Sequence, residues 1–169
     1  EGRILVTVTD LSAPLSAGVD PLFEDGSALF TPRAIAVQSD GKILVAGYEE
    51  PASATSTVMF LSRYEADGTP DSSFGSGGKV VWDLDTAGPD QINDIGLVTD
   101  GRIVAVGKSG SSALAALFLT NGTLDTTFST DGYHLVTPAS GSAEFHGVSV
   151  GQRIRAVGTS AGDLLVGDL

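Results

Sequence analysis

The chain repeats itself, and this limits its fold more than any other feature of the sequence. Asp40-Gly41-Lys42-Ile43-Leu44-Val45-Ala46-Gly47 recurs as Asp100-Gly101-Arg102-Ile103-Val104-Ala105-Val106-Gly107. It returns, degraded, as Gly151-Gln152-Arg153-Ile154-Arg155-Ala156-Val157-Gly158, and Gly2-Arg3-Ile4-Leu5-Val6 is a further copy. A second motif alternates with the first. Asp67-Gly68-Thr69-Pro70-Asp71-Ser72-Ser73-Phe74 matches Asn121-Gly122-Thr123-Leu124-Asp125-Thr126-Thr127-Phe128, and Asp20-Pro21-Leu22-Phe23 keeps its Asp-x-x-Phe core. Gly47, Gly107 and Gly158 lie 60 and 51 residues apart, and Asp20, Asp71 and Asp125 lie 51 and 54 apart. Chance would not keep two motifs in step.

One repeat reads as four short antiparallel strands in a meander. In residues 34–83 the expected strands are Ala34–Gln38, Ile43–Tyr48, Val58–Tyr64 and Lys79–Trp82, with a polar turn from Glu49 to Thr57. Asp40-Gly41 suits a two-residue hairpin turn of type I′, in which both central residues take positive φ. The second repeat gives Ile92–Val98, Arg102–Val106, Leu114–Leu119 and Tyr133–Val136; the third gives Phe145–Val150, Arg153–Val157 and Leu164–Val166. The third repeat's first hairpin is two residues shorter, since Val148 to Gly158 spans 10 positions where Ile35 to Gly47 spans 12. Ile43–Ala46 and Ile103–Val106 do not alternate apolar with polar residues, so both faces of these strands need cover. Sheets stacked face to face, as propeller blades are, supply it. The period is too long for a coiled β-solenoid, whose rungs take roughly 20–30 residues, and an immunoglobulin-type sandwich does not repeat every four strands.

The expected fold is therefore all-β, a β-propeller-like array of four-stranded antiparallel blades. Residues 1–33 form a partial first repeat, 34–83 and 84–136 one blade each, and 137–169 a partial last repeat, together one propeller-type domain. Asp67-Gly68-Thr69 through Phe74-Gly75-x-Gly77-Gly78-Lys79-Val80, alternating with the Asp-Gly-Lys-Ile-Leu-Val-Ala-Gly motif, resembles the delta-60 repeat. That is a blade-forming repeat of large secreted or surface-exposed bacterial proteins. The resemblance covers nearly the whole chain and is most specific in the middle. It implies a β-propeller in an extracellular or cell-surface setting, and it brings no established catalytic motif.

Composition removes several classes. The 169 residues carry a net charge of −12 and no cysteine. There is thus no disulfide framework, thiolate metal site or Cys nucleophile. The acidic balance argues against nucleic acid, which needs clustered Lys and Arg. No apolar run reaches the roughly 18 residues of a membrane-spanning helix. The chain opens at Glu1 without an initiator Met, a basic n-region or an apolar h-region, as a mature form or an excised piece would.

Motifs that could carry chemistry have plainer readings. Gly101-x5-Gly107-Lys108-Ser109 has one residue too many for a phosphate-binding loop and leads to no helix. Asp83-x-Asp85-x-x-Gly88 with Asp94 partly resembles a calcium loop, but Ala87 stands at a ligand position and strands flank it. Asp71 and Asp125 recur, and a residue needed by every repeat solves a structural problem, here the capping of Asx turns. Phe23, Phe74 and Phe128 read as packing anchors between blades, and Trp82 as a core residue. His134 and His146 fall in different strands and form no ligand pair. Asn121-Gly122-Thr123 is a glycosylation sequon set inside a repeated turn. No residue is therefore assigned a catalytic, cofactor-binding or metal-binding role.

The expectation is a non-catalytic, extracellular or cell-surface structural or interaction module with no cofactor. A carbohydrate-binding propeller using the loops at Glu49–Thr57 or Leu84–Gln91 is an alternative, and a hydrolase or lyase using channel carboxylates is a further one. The strand count gives about three and a half blades, whereas closed propellers use about four to eight. Protein partners or self-association are therefore expected to complete the array.

Overall fold

The computed structural model describes residues 28–51, 56–84 and 88–169. They form β1 (Ala28–Val37), β2 (Ile43–Pro51), β3 (Val58–Tyr64), β4 (Lys79–Trp82), β5 (Asp90–Leu97), β6 (Ile103–Ser109), β7 (Ser112–Phe118), β8 (Tyr133–Val136), β9 (Ala143–Val150), β10 (Ile154–Ser160) and β11 (Asp163–Asp168). There is no helix among them. The strands make three antiparallel meanders: a first sheet β1-β2-β3-β4, a middle sheet β5-β6-β7-β8 and a last sheet of β9, β10 and β11 in sequence. This is an open, partial propeller. The first partial repeat, including Phe23 and Asp20, lies outside the described residues apart from 28–33, which belong to β1.

The sheets stack because the residues on their faces are apolar. Leu44, Ala46, Met59 and Leu61 of the first sheet share one buried cluster with Ile92, Ile95, Ile103, Ala105, Leu114 and Ala116 of the middle sheet. Val104, Val106, Ala113, Ala115 and Leu117, on the opposite face of the middle sheet, share a second cluster with Ala143, Phe145 and Ala156 of the last. The middle sheet is thus covered on both sides, and β3 and β7 are buried along their whole length. In β10 burial alternates instead, since one face has no sheet against it. β3, β4 and β8 have the expected bounds, while the other strands differ from expectation at one or both ends, most in β1, which begins at Ala28 rather than Ala34. β2 continues to Pro51, so the polar turn expected from Glu49 starts later. Glu49 stays in the strand because Lys79 of the same sheet neutralises its carboxylate, and Lys79 also sits 4.5 Å above the Phe30 ring.

The Asp-Gly turns are not of type I′. Asp40 is not among the residues with positive φ; Gly41 (φ 88°) and Gly101 (φ 89°) are. Gln38 N–H donates to Lys42 O at 2.8 Å and Gly41 N–H to Gln38 O at 3.0 Å. That pattern is a three-residue loop, a type I turn closed by a glycine bulge. Val98–Arg102, Glu65–Thr69 and Leu119–Thr123 repeat the same pair of bonds. In each loop the Asp or Asn Oδ1 accepts the backbone N–H two residues on, at 2.9–3.1 Å. The loop has three residues because this carboxylate or amide cap fixes its middle residue in the right-handed region, which I′ forbids. A turn with two positive φ values does occur, at Ala161 (φ 52°) and Gly162 (φ 94°) between β10 and β11.

The second glycine of the motif has another cause. The innermost strand of every sheet carries a bulge at the same place: Arg33 in β1, Asn93 in β5 and His146 in β9 fall between paired residues. Opposite each bulge stands Gly47, Gly107 or Gly158. A Cβ at any of them would collide with a carbonyl oxygen of the bulged strand, that of Thr31, Gln91 or Glu144 respectively. The repeat conserves glycine here for space, not for φ.

Two substitutions test these assignments by thermal or urea denaturation. Gly107→Ala should destabilise by about 2–3 kcal/mol, because backbone must move to admit the methyl group. Ala161→Asn should stabilise by roughly 1 kcal/mol, because asparagine tolerates the left-handed conformation that alanine resists. Equal melting temperatures for Gly107→Ala and wild type would remove the bulge from the account.

Candidate functional site

The recurring aspartates come first, since repetition singled them out. Asp71 lies in the segment that leaves β3 and returns as β4. Its Oδ1 accepts Ser73 N–H at 3.0 Å and Ser73 Oγ at 2.6 Å, and its Oδ2 meets Arg63 Nε at 2.7 Å and Lys42 Nζ at 3.0 Å. Asp125 repeats the arrangement in the middle sheet, with Thr127 N–H at 3.0 Å, Thr127 Oγ1 at 2.6 Å and Arg102 Nη1 at 2.9 Å. Burial opposes ionisation of Asp71. The Ser73 hydroxyl and N–H, Lys42 and Arg63 outweigh it and hold the carboxyl well below the usual carboxylate range. The Thr127 hydroxyl, then Arg102, then the Thr127 N–H lower Asp125 in the same way. A carboxylate locked in its ionised form cannot donate a proton near neutral pH, so neither aspartate is built as a general acid.

These pairs join the two sequence motifs. Lys42 and Arg102 belong to the first motif, Asp71 and Asp125 to the second. Sequence reasoning missed the link, although a basic residue at positions 42, 102 and 153 of a chain with 9 Lys+Arg was a usable signal. In the last repeat Arg153 turns to Asp168 instead. Arg63 was also missed. It stacks 4.6 Å from the Phe74 ring and donates to the Thr120 carbonyl of the middle sheet's turn. Phe74 is buried beside Gly122 of that turn, and Gly75 N–H donates to Asn121 O at 2.9 Å. Phe74 is therefore the inter-blade anchor that the sequence suggested. Phe128 is half-buried and packs against the second cluster.

The bulged inner strands provide a second polar cluster, where β5 runs beside β1 and β9. Bulges re-aim side chains, and here they point the amide of Asn93 across the gap between two sheets. Asn93 Nδ2 donates to Glu144 Oε1 and to Phe145 O, both at 2.7 Å, and Gln91 Nε2 donates to Glu144 Oε1 at 2.6 Å. Asp94 Oδ2 accepts Val148 N–H at 2.8 Å. No backbone ladder joins β5 to β9, so these side chains satisfy the open edge of β9. The same position in the other sheets holds Arg33, stacked 5.6 Å from the Tyr48 ring, and His146, whose Nε2 lies 3.3 Å from Thr159 Oγ1.

The remaining sequence candidates do not converge. Gly107-Lys108-Ser109 is the end of β6, with no helix after it. Of the calcium-like loop, residues 85–87 lie outside the described residues, and Asp94 is engaged by Val148 and Ile95 N–H groups. No group of three or more His, Asp or Glu side chains that could hold a metal occurs among the described residues. His134 (β8) and His146 (β9) belong to different sheets. Asn121 Oδ1 caps its own turn through Thr123. Trp82 is half-buried and makes edge contacts with Phe118 at 5.9 Å and Tyr133 at 5.3 Å, so it packs between blades. No helix among the described residues is long and apolar enough to cross a membrane.

Three stacked antiparallel meanders, the first two each carrying the motif pair, define a β-propeller repeat fold. Residues 38–74 and 99–128 match a family model described as a β-propeller domain of unknown function, DUF5122. The matched stretches begin at the Gln38 and Thr99 turns and end at Phe74 and Phe128, so they contain the clamps of the first two blades. No curated protein matches the chain.

The clamp has a consequence for acid stability. Both carboxyls are lowered on folding, so their stabilisation is complete above the unfolded value near pH 4 and lost as pH falls below it. Melting temperature should drop between about pH 5 and pH 2, and the double variant Asp71→Asn, Asp125→Asn should start lower and fall less steeply. Asp71→Asn alone should cost about 3 kcal/mol at neutral pH, since it strands the buried Arg63 guanidinium. A parallel pH profile for wild type and double variant would show that other carboxylates dominate.

Proposed function

We propose that this chain is a non-catalytic, extracellular or cell-surface structural and interaction module, built from propeller blades and completed through protein contacts. One observation carries this reading: the charged and polar side chains that stand out in the fold, recurring or not, are spent on the scaffold. Asp71 and Asp125 clamp turns, Lys42, Arg63 and Arg102 neutralise them, and Asn93, Asp94 and Glu144 join adjacent inner strands. Asp94 and Glu144, inner-strand carboxylates of the kind a propeller hydrolase or lyase would use, are thus already hydrogen-bonded to neighbouring blades. The alternative of carbohydrate binding needs an open aromatic face near the β2 end, and Arg33 lies over Tyr48 there. The resemblance to the delta-60 repeat supports the extracellular placement. So does the net charge of −12, which keeps a chain with apolar faces soluble.

Brief protease treatment of intact cells that produce the chain, followed by mass spectrometry, tests the placement. Peptides cut at the exposed turn residue Arg153 should be released before any cytoplasmic marker. Release only after lysis would overturn it.

A further inference from the structure

Asn121-Gly122 is a dipeptide with chemistry of its own. A carboxamide followed by glycine is open to attack by the glycine's backbone nitrogen, because that residue has no side chain to hinder it. In that step Gly122 N gives up its proton and bonds to Asn121 Cγ, the Cγ–Nδ2 bond breaks, and ammonia leaves. Water then opens the cyclic imide at one carbonyl to give aspartate or at the other to give isoaspartate. The chain's other asparagine, Asn93, precedes Asp94 rather than glycine, and its amide is bonded between blades. Asn121 is exposed, yet the loop holds each group that the step must move. Gly122 N–H donates to Leu119 O at 3.0 Å, which retains the proton that has to leave. Asn121 Oδ1 accepts Thr123 N–H at 3.0 Å and Thr123 Oγ1 at 2.8 Å, which fixes the carboxamide. The first blade pins the loop from outside. Arg63 donates to Thr120 O, Gly75 N–H donates to Asn121 O at 2.9 Å, and Phe74 leaves no room for a Cβ at Gly122.

We propose that Asn121 is a deamidation site gated by the junction between the first two blades: it is inert while the junction is closed and converts when the loop is released. The site stands independently of the interaction-module reading. Its two products have opposite consequences. Aspartate keeps the loop, because Asp40, Asp67 and Asp100 hold this place in the sister loops and cap them through Oδ1 in the same way. Isoaspartate carries the backbone through Cβ and Cγ, so an extra carbon enters the loop. The carbonyl that met Gly75 N–H then belongs to a free carboxylate. Gly122, buried with φ 88° against Phe74, loses the backbone that placed it there, and the junction does not reclose as before. Separation of the two blades is thereby recorded in the covalent chain.

Mass spectrometry of the tryptic peptide Ser109–Arg153, which has Asn121 as its only asparagine, tests this through the mass gained when the amide becomes an acid. The 169-residue chain is incubated at mildly alkaline pH, folded and in urea. Folded wild type should convert roughly tenfold or more slowly than the chain in urea, since only the fraction with an open loop reacts. Arg63→Leu copies the middle sheet, where Leu117 holds the equivalent place and Arg102 alone neutralises Asp125. Folded Arg63→Leu should convert several-fold faster than wild type, and at the wild-type rate in urea. Thr123→Val, at an exposed position, removes one bond to the carboxamide and should also convert faster when folded, which keeps the comparison available where Arg63→Leu does not fold. Asn121→Asp should melt near wild type. Equal rates for wild type folded and in urea would overturn the protection, and a folded rate that the variants leave unchanged would overturn the gating. A large loss of melting temperature in Asn121→Asp would overturn the tolerance of aspartate. The cell-surface reading would survive all three, since protease treatment of cells tests it separately.

Discussion

The structure depends on sheets that have no solvent side. A four-stranded meander with Ile103, Val104, Ala105 and Val106 in sequence cannot stand in water, because both of its faces are apolar. It is stable only between two neighbours, and the middle sheet shows the satisfied state, with β6 buried from Ile103 to Gly107 and β7 throughout. Everything else positions sheets so that this burial can happen. The short side chains Ala46, Ala105, Ala113, Ala115 and Ala116 let the sheets approach, and Phe74, Phe118 and Phe145 fill the gaps between them.

Burial is not directional, so it cannot by itself set the order or spacing of the blades. Polar contacts do that. The Lys42–Asp71 and Arg102–Asp125 pairs lock each strand-connecting segment against the hairpin of its own blade. Arg63 and Gly75 then reach the turn of the next blade, and Asn93 and Asp94 reach the next inner strand. Breaking such a contact exposes or strands a charge, whereas sliding one apolar face over another costs little. The repeated motifs are therefore the addressing system of the fold, and the apolar runs between them are its adhesive.

This division bears on function. Repetition marks scaffold, and variation on a repeated frame marks whatever distinguishes one blade from another. The bulge position holds Arg33, Asn93 and His146 in the three sheets, on identical backbone. Likewise, one face geometry is sealed twice and left open at Val157, Leu164 and Val166. An exposed apolar face of this kind supports the proposal of contact with further blades over chemistry on a small substrate.

The sequence by itself determined the strands. Among the described residues, their number, order and even the bounds of β3, β4 and β8 follow from apolar runs separated by Asp-Gly and Asn-Gly, because turn chemistry and period-two packing are local. It also determined that both faces of the inner strands need cover, and that Asp71 and Asp125 are structural. Only the tertiary structure decided the rest. Asp40-Gly41 does not form the expected type I′ turn, which occurs instead at Ala161-Gly162, since a side-chain cap on the backbone, not the dipeptide, selects the turn. Glu49 stays in β2 because Lys79 arrives from a distant strand. Gly47, Gly107 and Gly158 recur because a neighbouring bulge occupies the space of a Cβ. Each of these depends on an atom brought close by a partner strand or segment, and a linear reading of residue types does not contain that distance.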